Sequence, residues 1–261
     1  MTLDLSVPPG GPGTRVEVAV ASERGLVRDE QQDAAVCGGW VGVTAGMRAA
    51  LSISLVSSDD SLILAVVDGM GGHAGGAAAA AIAASALAST KRTHEPNAWA
   101  SSLEQISDRV GQAGAAWGTP DMGATVAAVV IGPEQIEVLG VGDCRVMRIV
   151  DGYLGTLSVE DRAPDPRRPG RTVVTQSLGG PPRSLDPRPT RLRHSEGHSR
   201  YLLCTDGLHD TVPEDAVRAI LARVAPPADV AQELIGAAYA AGAPDNVTVI
   251  VADVVAPVSE V

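Results

Sequence analysis

Three aspartates share one setting in the sequence. Asp68 closes the apolar run LILAVV, Asp206 follows YLLCT, and Asp245, with Asn246, precedes VTVIV. Asp68 and Asp206 are each followed directly by glycine. A single aspartate at a strand end is ordinarily a turn former, because its side chain bonds its own backbone. Three of them beside buried apolar strands can instead converge on one sheet edge. Carboxylates clustered without His or Cys select hard cations, Mg²⁺ or Mn²⁺. Two such ions sharing a carboxylate activate a water and steady in-line displacement at phosphorus.

The stretch around Asp68 admits a second reading. Gly69, Gly71 and Ala74 fit G-x-G-x-x-A between a strand and an alanine-rich helix, the pattern of a dinucleotide-binding turn. In that role Asp68 would aim a negative charge at a pyrophosphate. The chain downstream is rich in strands rather than repeated strand–helix units, and no acidic residue closes a clear second strand at the expected distance. The metal reading therefore leads.

Bulk properties limit the remaining classes. The 261 residues carry a formal net charge of −11, which argues against nucleic acid or an anionic membrane as partner. Phenylalanine is absent and there are only three Trp and three Tyr, so the core must be aliphatic. Three cysteines far apart, with no C-x-x-C, point to a reducing compartment rather than to disulfides or zinc. No basic start with an apolar stretch marks a signal peptide, and no run is apolar and long enough to span a bilayer. The expectation is a cytoplasmic, monomeric protein.

Residues 1–13 are rich in Pro and Gly and read as a loose segment; residues 14–256 read as one domain. Alternating Val16, Val18 and Val20 predict a strand over 14–22. Residues 51–56 and 62–67 read as a hairpin about residues 57–60. The alanine-rich segment and residues 96–117 predict two helices, the second with Trp99, Leu103, Ile106 and Val110 on one face. Strands follow over 124–131, 135–141 and 145–150. Residues 161–171, rich in Pro and Arg, read as a loop. A strand over 200–204, helices over 213–224 and 228–241, and a last strand over 247–254 complete an α+β layout.

The motifs VRDEQQD, VVDGMGGHAGG, DMGATV, VGDCR, LLCTDGLHD and APDNVTVIV occur in this order. In them the chain resembles the metal-dependent protein serine/threonine phosphatases of the PPM/PP2C type, in their bacterial form. The resemblance implies a PP2C-like β-sandwich of two antiparallel sheets flanked by pairs of antiparallel helices. It implies hydrolysis of phosphoserine and phosphothreonine by a water activated between two Mn²⁺ or Mg²⁺ ions, and phosphorylated proteins and a serine/threonine kinase as partners. It further implies that Asp68 bridges the two ions, that the Gly69 carbonyl ligates one, and that Asp206 and Asp245 complete the other. Asp33 lies at or just outside the ligands, Arg28 binds the substrate phosphate, and Asp121 serves a third, weaker ion.

The chain departs from the family in several places. Gln31-Gln32 stands where Asn-Glu is usual, which removes a carboxylate and leaves a catalytically weak or inactive regulatory protein of the same fold as the alternative. His73 is a structural residue at the helix start in this reading. The segment between Asp161 and Leu178 is short for the family's flap. Its Arg162, Arg167, Arg168 and Arg171 form a basic loop expected to dock acidic phosphoprotein segments.

Overall fold

The valine alternation at the start of the chain produces the expected strand and sets the register of half the molecule. The computed structural model describes residues 13–57, 61–70, 74–90, 98–180, 185–194 and 197–256. His73 and the turn at residues 58–60 lie outside the described residues. Strand β1 (Thr14–Glu23) is followed by β2 (Asp33–Cys37), β3 (Trp40–Gly42), β4 (Met47–Leu55) and β5 (Leu62–Met70). Helices α1 (Ala74–Ser89) and α2 (Ala98–Trp117) come next. Then run β6 (Gly123–Ile131), β7 (Gln135–Val141), β8 (Arg145–Val150), β9 (Tyr153–Thr156), β10 (Arg162–Pro164), β11 (Thr172–Val174), β12 (Leu178–Gly179), β13 (Thr190–Arg193) and β14 (Gly197–Cys204). The short α3 (Asp206–His209), α4 (Glu214–Leu221), α5 (Pro227–Ala240) and β15 (Val247–Ala256) complete the order.

These strands form two antiparallel sheets packed face to face. One has the order β4-β1-β15-β14-β8-β9; the other runs β13-β7-β6-β5-β2-β3, with β12 beside β6. Side chains alternate across each strand, so every central strand serves two cores. Val16, Val18, Val20, Leu64, Val66, Tyr201, Leu203 and Ile250 fill the space between the sheets. The opposite face of the second sheet, with Ala65 and Val67, packs on α1 and α2. The opposite face of the first, with Leu202, Val249 and Val251, packs on α3, α4 and α5. The expected α+β sandwich with flanking helices is present.

Three local expectations change. Residues 51–56 and 62–67 are not a hairpin: β4 pairs with β1 in one sheet, and β5 pairs with β2 and β6 in the other. Both runs are apolar and carry no sheet label, so adjacency in sequence misled. Strand β5 does not stop before Asp68; its ladder continues to Met70, opposite Gly123. The Pro-rich stretch after Asp161 is a small hairpin, in which Arg162 faces Val174 and Pro164 faces Thr172. Proline forbids a helix there but is tolerated at the end of a short edge strand.

Helix α1 lies close against its sheet because its buried face is alanine. Ala79, Ala80, Ala83 and Ala84 are all at most 1% exposed. A larger side chain on this face must push the helix outward, and its first turn, at Gly76, is seated against the backbone of Gly69. Ala83→Leu is expected to lower unfolding free energy by about 1–3 kcal/mol, whereas Ser85→Leu on the exposed side changes it by less than about 0.5 kcal/mol. Denaturant titration of the two variants checks this; equal effects would mean that the helix is not closely seated.

Candidate metal centre

At one end of the sandwich the inward faces change from aliphatic to polar. Asp33 and Asp68 continue the inward rows of β2 and β5 and stand directly opposite each other across the ladder. Thr125 faces Asp68 from β6. From the other sheet come Ser22, Thr205 and Thr248, all fully buried. Thr205 and Thr248 both donate to Asp33 Oδ2, at 2.9 and 2.7 Å. Ser22 and Thr248 hydroxyls lie 2.7 Å apart, and Gln31 Nε2 donates to Ser22 Oγ. Asp33 is 2% exposed and thereby ties the second sheet to the first. Nothing in the sequence pattern linked these hydroxyls to Asp33; only the register of both sheets does.

Above this polar layer lies an open cavity of about 540 Å³, lined by Arg28, Asp68, Gly69, Asp143, Asp206 and Asp245 among others. Five of the expected site residues therefore share one cavity, and Asp33 lies behind Asp68. Asp121 does not line it; it is exposed in the turn before β6. Asp143 belongs to the cavity wall as well.

Two glycines fix the backbone that carries the aspartates. A Cβ on Gly69 would stand 2.0 Å from the Gly76 carbonyl oxygen and 2.7 Å from that of Gln32. A Cβ on Gly207 would stand 1.9 Å from the Asn246 carbonyl oxygen. Both Asp-Gly pairs are thus required by close backbone approach. Asn246, 4% exposed, holds the loop that carries Arg28: its Nδ2 donates to the Arg24 and Glu30 carbonyls, and its Oδ1 accepts from the Gln32 N–H at 2.8 Å. The Asn246 N–H donates to Asp245 Oδ1 at 2.8 Å.

The carboxylates are charge-frustrated. Burial, and then the neighbouring carboxylates, push Asp68 well above the ordinary range. Burial pushes Asp33 and Asp206 up to about 7, with Asp245 adding to both. Asp206 Oδ1 is buried without a hydrogen-bond partner among the described residues. Two guanidinium groups offset part of the charge. Arg28 meets Asp245 Oδ2 at 2.5 Å, and that bond is the main reason its own pKa is raised. Arg162 reaches Asp143 at 2.8 Å, Asp210 at 2.8 Å and Asp206 at 3.4 Å. Arg162 is only 16% exposed, so it is not part of a solvated basic loop; Arg167, Arg168 and Arg171 are. In this arrangement no group of three or more acidic, His or Cys side chains among the described residues is gathered closely enough to hold an ion. The donors are nevertheless all oxygen, one is orphaned, and hard divalent ions fit that set.

The raised values fix the sign of a pH effect. A carboxyl whose folded pKa is raised favours its proton in the folded state. The stability it contributes is complete below about 4 and is lost as pH rises through about 7. The ion-free protein should therefore melt at lower temperature at about pH 8 than at about pH 5.5, and Mn²⁺ should raise the midpoint more at the higher pH. Thermal melts with and without chelator check this; an ion-free midpoint that climbs over that interval would contradict it.

Residues 50–237 match the family model described as Protein phosphatase 2C. The serine/threonine protein phosphatase PstP of Mycobacterium tuberculosis is 31% identical over 256 residues, covering 91% of this chain and 45% of the relative. The chain spans about half the length of the curated relatives it matches. The solved catalytic domain of PstP in complex with two manganese ions superposes with a TM-score of 0.70 at 28% identity, over 93% of this chain and 99% of that one. The serine/threonine phosphatase of S. agalactiae shares the fold, with a TM-score of 0.74 at 21% identity over 93% of this chain and 100% of that one. With the sandwich, the ordered motifs and the family match in agreement, the chain belongs to the protein phosphatase 2C family.

Proposed function

We propose that this chain is a metal-dependent protein serine/threonine phosphatase, with residues 14–256 as one catalytic unit. The observation that carries the reading is the cavity in which Asp68, Asp143, Asp206 and Asp245 converge beside Arg28, with an orphaned oxygen on Asp206. The manganese ions of the related PstP structure support the choice of Mn²⁺ or Mg²⁺. Asp68, the Gly69 carbonyl, Asp206 and Asp245 would hold two ions, which when bound supply an activated water and neutralise charge at phosphorus. Asp33 orders the layer beneath them through Thr205 and Thr248. Asp121, exposed outside the cavity, would serve at most a peripheral third ion.

Arg28 stands at the rim, 54% exposed, on a loop stapled by Asn246. Its planar fork suits a phosphate, and once Asp245 is engaged by a cation the guanidinium is free to meet one. The openness of the cavity suits a phosphorylated side chain projecting from a protein surface. The substrates in this reading are phosphorylated proteins, the opposing enzyme is a serine/threonine kinase, and the chain acts as a cytoplasmic monomer. Among the described residues no helix is long and apolar enough to cross a membrane. Gln32 lines the cavity where a carboxylate is usual in the family; it is the residue on which a second reading, a weak or inactive regulatory protein, rests, and the family match does not favour that reading.

Hydrolysis of p-nitrophenyl phosphate in Mn²⁺ separates the two readings: turnover supports the enzyme, and its absence from metal-loaded protein supports the regulator. In the active protein Asp68→Asn should lower turnover by about a hundredfold or more, since it removes a shared anionic ligand. Near-normal turnover in that variant would refute the assignment.

The exposed Arg167, Arg168 and Arg171 lie at the tip of the hairpin that Val174 joins to the cavity wall. Replacing all three by Ala should leave p-nitrophenyl phosphate hydrolysis unchanged. It should lower kcat/KM on an acidic phosphothreonine peptide several-fold at low salt, because each exposed pair contributes only about 0.2–1 kcal/mol. Identical peptide kinetics before and after substitution would make the tip a plain connector.

A further inference from the structure

Arg162 is the cation that the sequence concealed. It begins β10, is 16% exposed, and lies among three carboxylates from two places in the fold: Asp143 from the turn before β8, and Asp206 and Asp210 from the two ends of α3. Its Nε and one terminal nitrogen bond Asp143 Oδ2, each at 2.8 Å. The other terminal nitrogen bonds Asp210, which His209 Nδ1 also contacts at 3.0 Å. The weakest of the contacts is the one to Asp206, at 3.4 Å, whose second oxygen is buried and unpartnered among the described residues.

The residue beside Arg162 is equally anchored. Asp161, 5% exposed, accepts from the Gly142 N–H at 2.9 Å and from Gln176 Nε2 at 2.8 Å, and pairs with Arg188. Its backbone closes two further bonds, to the Gly142 carbonyl and from the Thr175 N–H, both at 2.7 Å. Through Asp161 and Arg162 the β10–β11 hairpin is therefore clamped to the turn that presents Asp143. Val174, the register partner of Arg162, lines the cavity itself.

We propose that Arg162 is a resident counter-cation of the ion-free protein, that a divalent ion must displace it from Asp206 when the centre loads, and that this exchange loosens the β10–β11 hairpin at the cavity wall. The proposal rests on the metal-dependent reading given above. A dication on Asp206 repels a guanidinium 3.4 Å from the same carboxylate, so the two positive groups compete for it. Asp143 and Asp210 keep Arg162 near the centre once it has moved, but a guanidinium drawn away from Asp206 no longer braces β10 against all three carboxylates, so the hairpin loosens without Arg162 being expelled. The arginine acts as a positioning residue: it sets the ion concentration at which the centre fills and passes the filling on to the hairpin.

Calorimetric Mn²⁺ titration of the full chain tests this, alongside hydrogen exchange of the amides of residues 162–174 with and without Mn²⁺. Arg162→Gln should fill at least one Mn²⁺ site about fivefold or more tighter than wild type. Arg162→Lys, which keeps the charge but cannot bridge three carboxylates, should fall between them. Arg145→Gln removes a nearby cation that bonds Glu160 and none of the cavity carboxylates, and should match wild type. In wild type, Mn²⁺ should speed exchange across the hairpin; in Arg162→Gln, exchange should be fast with or without the ion. Arg162 variants that bind Mn²⁺ as wild type does, a shift equalled by Arg145→Gln, or hairpin exchange indifferent to Mn²⁺ would each overturn the proposal while leaving the metal-dependent reading intact. Wild-type protein that takes up no Mn²⁺ at all would overturn both.

Discussion

Like charge held at the mouth of a hydrophobic sandwich is the constraint on which the rest of the site depends. Asp33, Asp143, Asp206 and Asp245 each raise the cost of ionising Asp68. Burial adds to that cost and is its largest part. A protein can meet it with protons, with its own cations, or with bound ions. This chain has two guanidinium groups in place and still leaves one Asp206 oxygen without a partner among the described residues. What remains unpaired is a demand for hard positive charge, and the proposed function follows from it.

The fold holds this unfavourable group together by spending stability gained elsewhere. Three aliphatic cores are stacked through the two sheets and their helices, while the polar layer occupies only one end of the central core. Asp33 is fastened by two threonines from the opposite sheet, so the sheets cannot slide apart without exposing a buried carboxyl. Gly69 and Gly207 let backbones approach where any side chain would collide, and Asn246 pins the loop that carries Arg28. Each aspartate is placed by packing remote from it, which is how a site of mutual repulsion becomes rigid.

Much of this was legible in the sequence, for identifiable reasons. The aspartates are visible because apolar runs stop at Asp68 and Asp206 and one begins just after Asp245, and the ordered motifs carry the family. The amphipathic pattern of α2 likewise gave its buried face, with Trp99, Leu103, Ile106 and Val110 inward. Sheet assignment was not legible: β4 and β5 look like a hairpin, yet they belong to different sheets. The hydroxyls around Asp33 were hidden, since Ser22, Thr205 and Thr248 become neighbours only through strand pairing across the sandwich. In the sequence Arg162 reads as one of four arginines of a basic docking loop, because nothing local marks the one that turns inward while Arg167, Arg168 and Arg171 are exposed.

The central claim is that these carboxylates form one divalent-cation centre. Anomalous diffraction from a crystal soaked in Mn²⁺, recorded on both sides of the manganese absorption edge, tests it most directly. At least two strong manganese peaks are expected inside the cavity, bonded to Asp68, Asp206 and Asp245 and to the Gly69 carbonyl. A crystal that takes up manganese only elsewhere, or leaves the cavity aspartates without a peak, would contradict it.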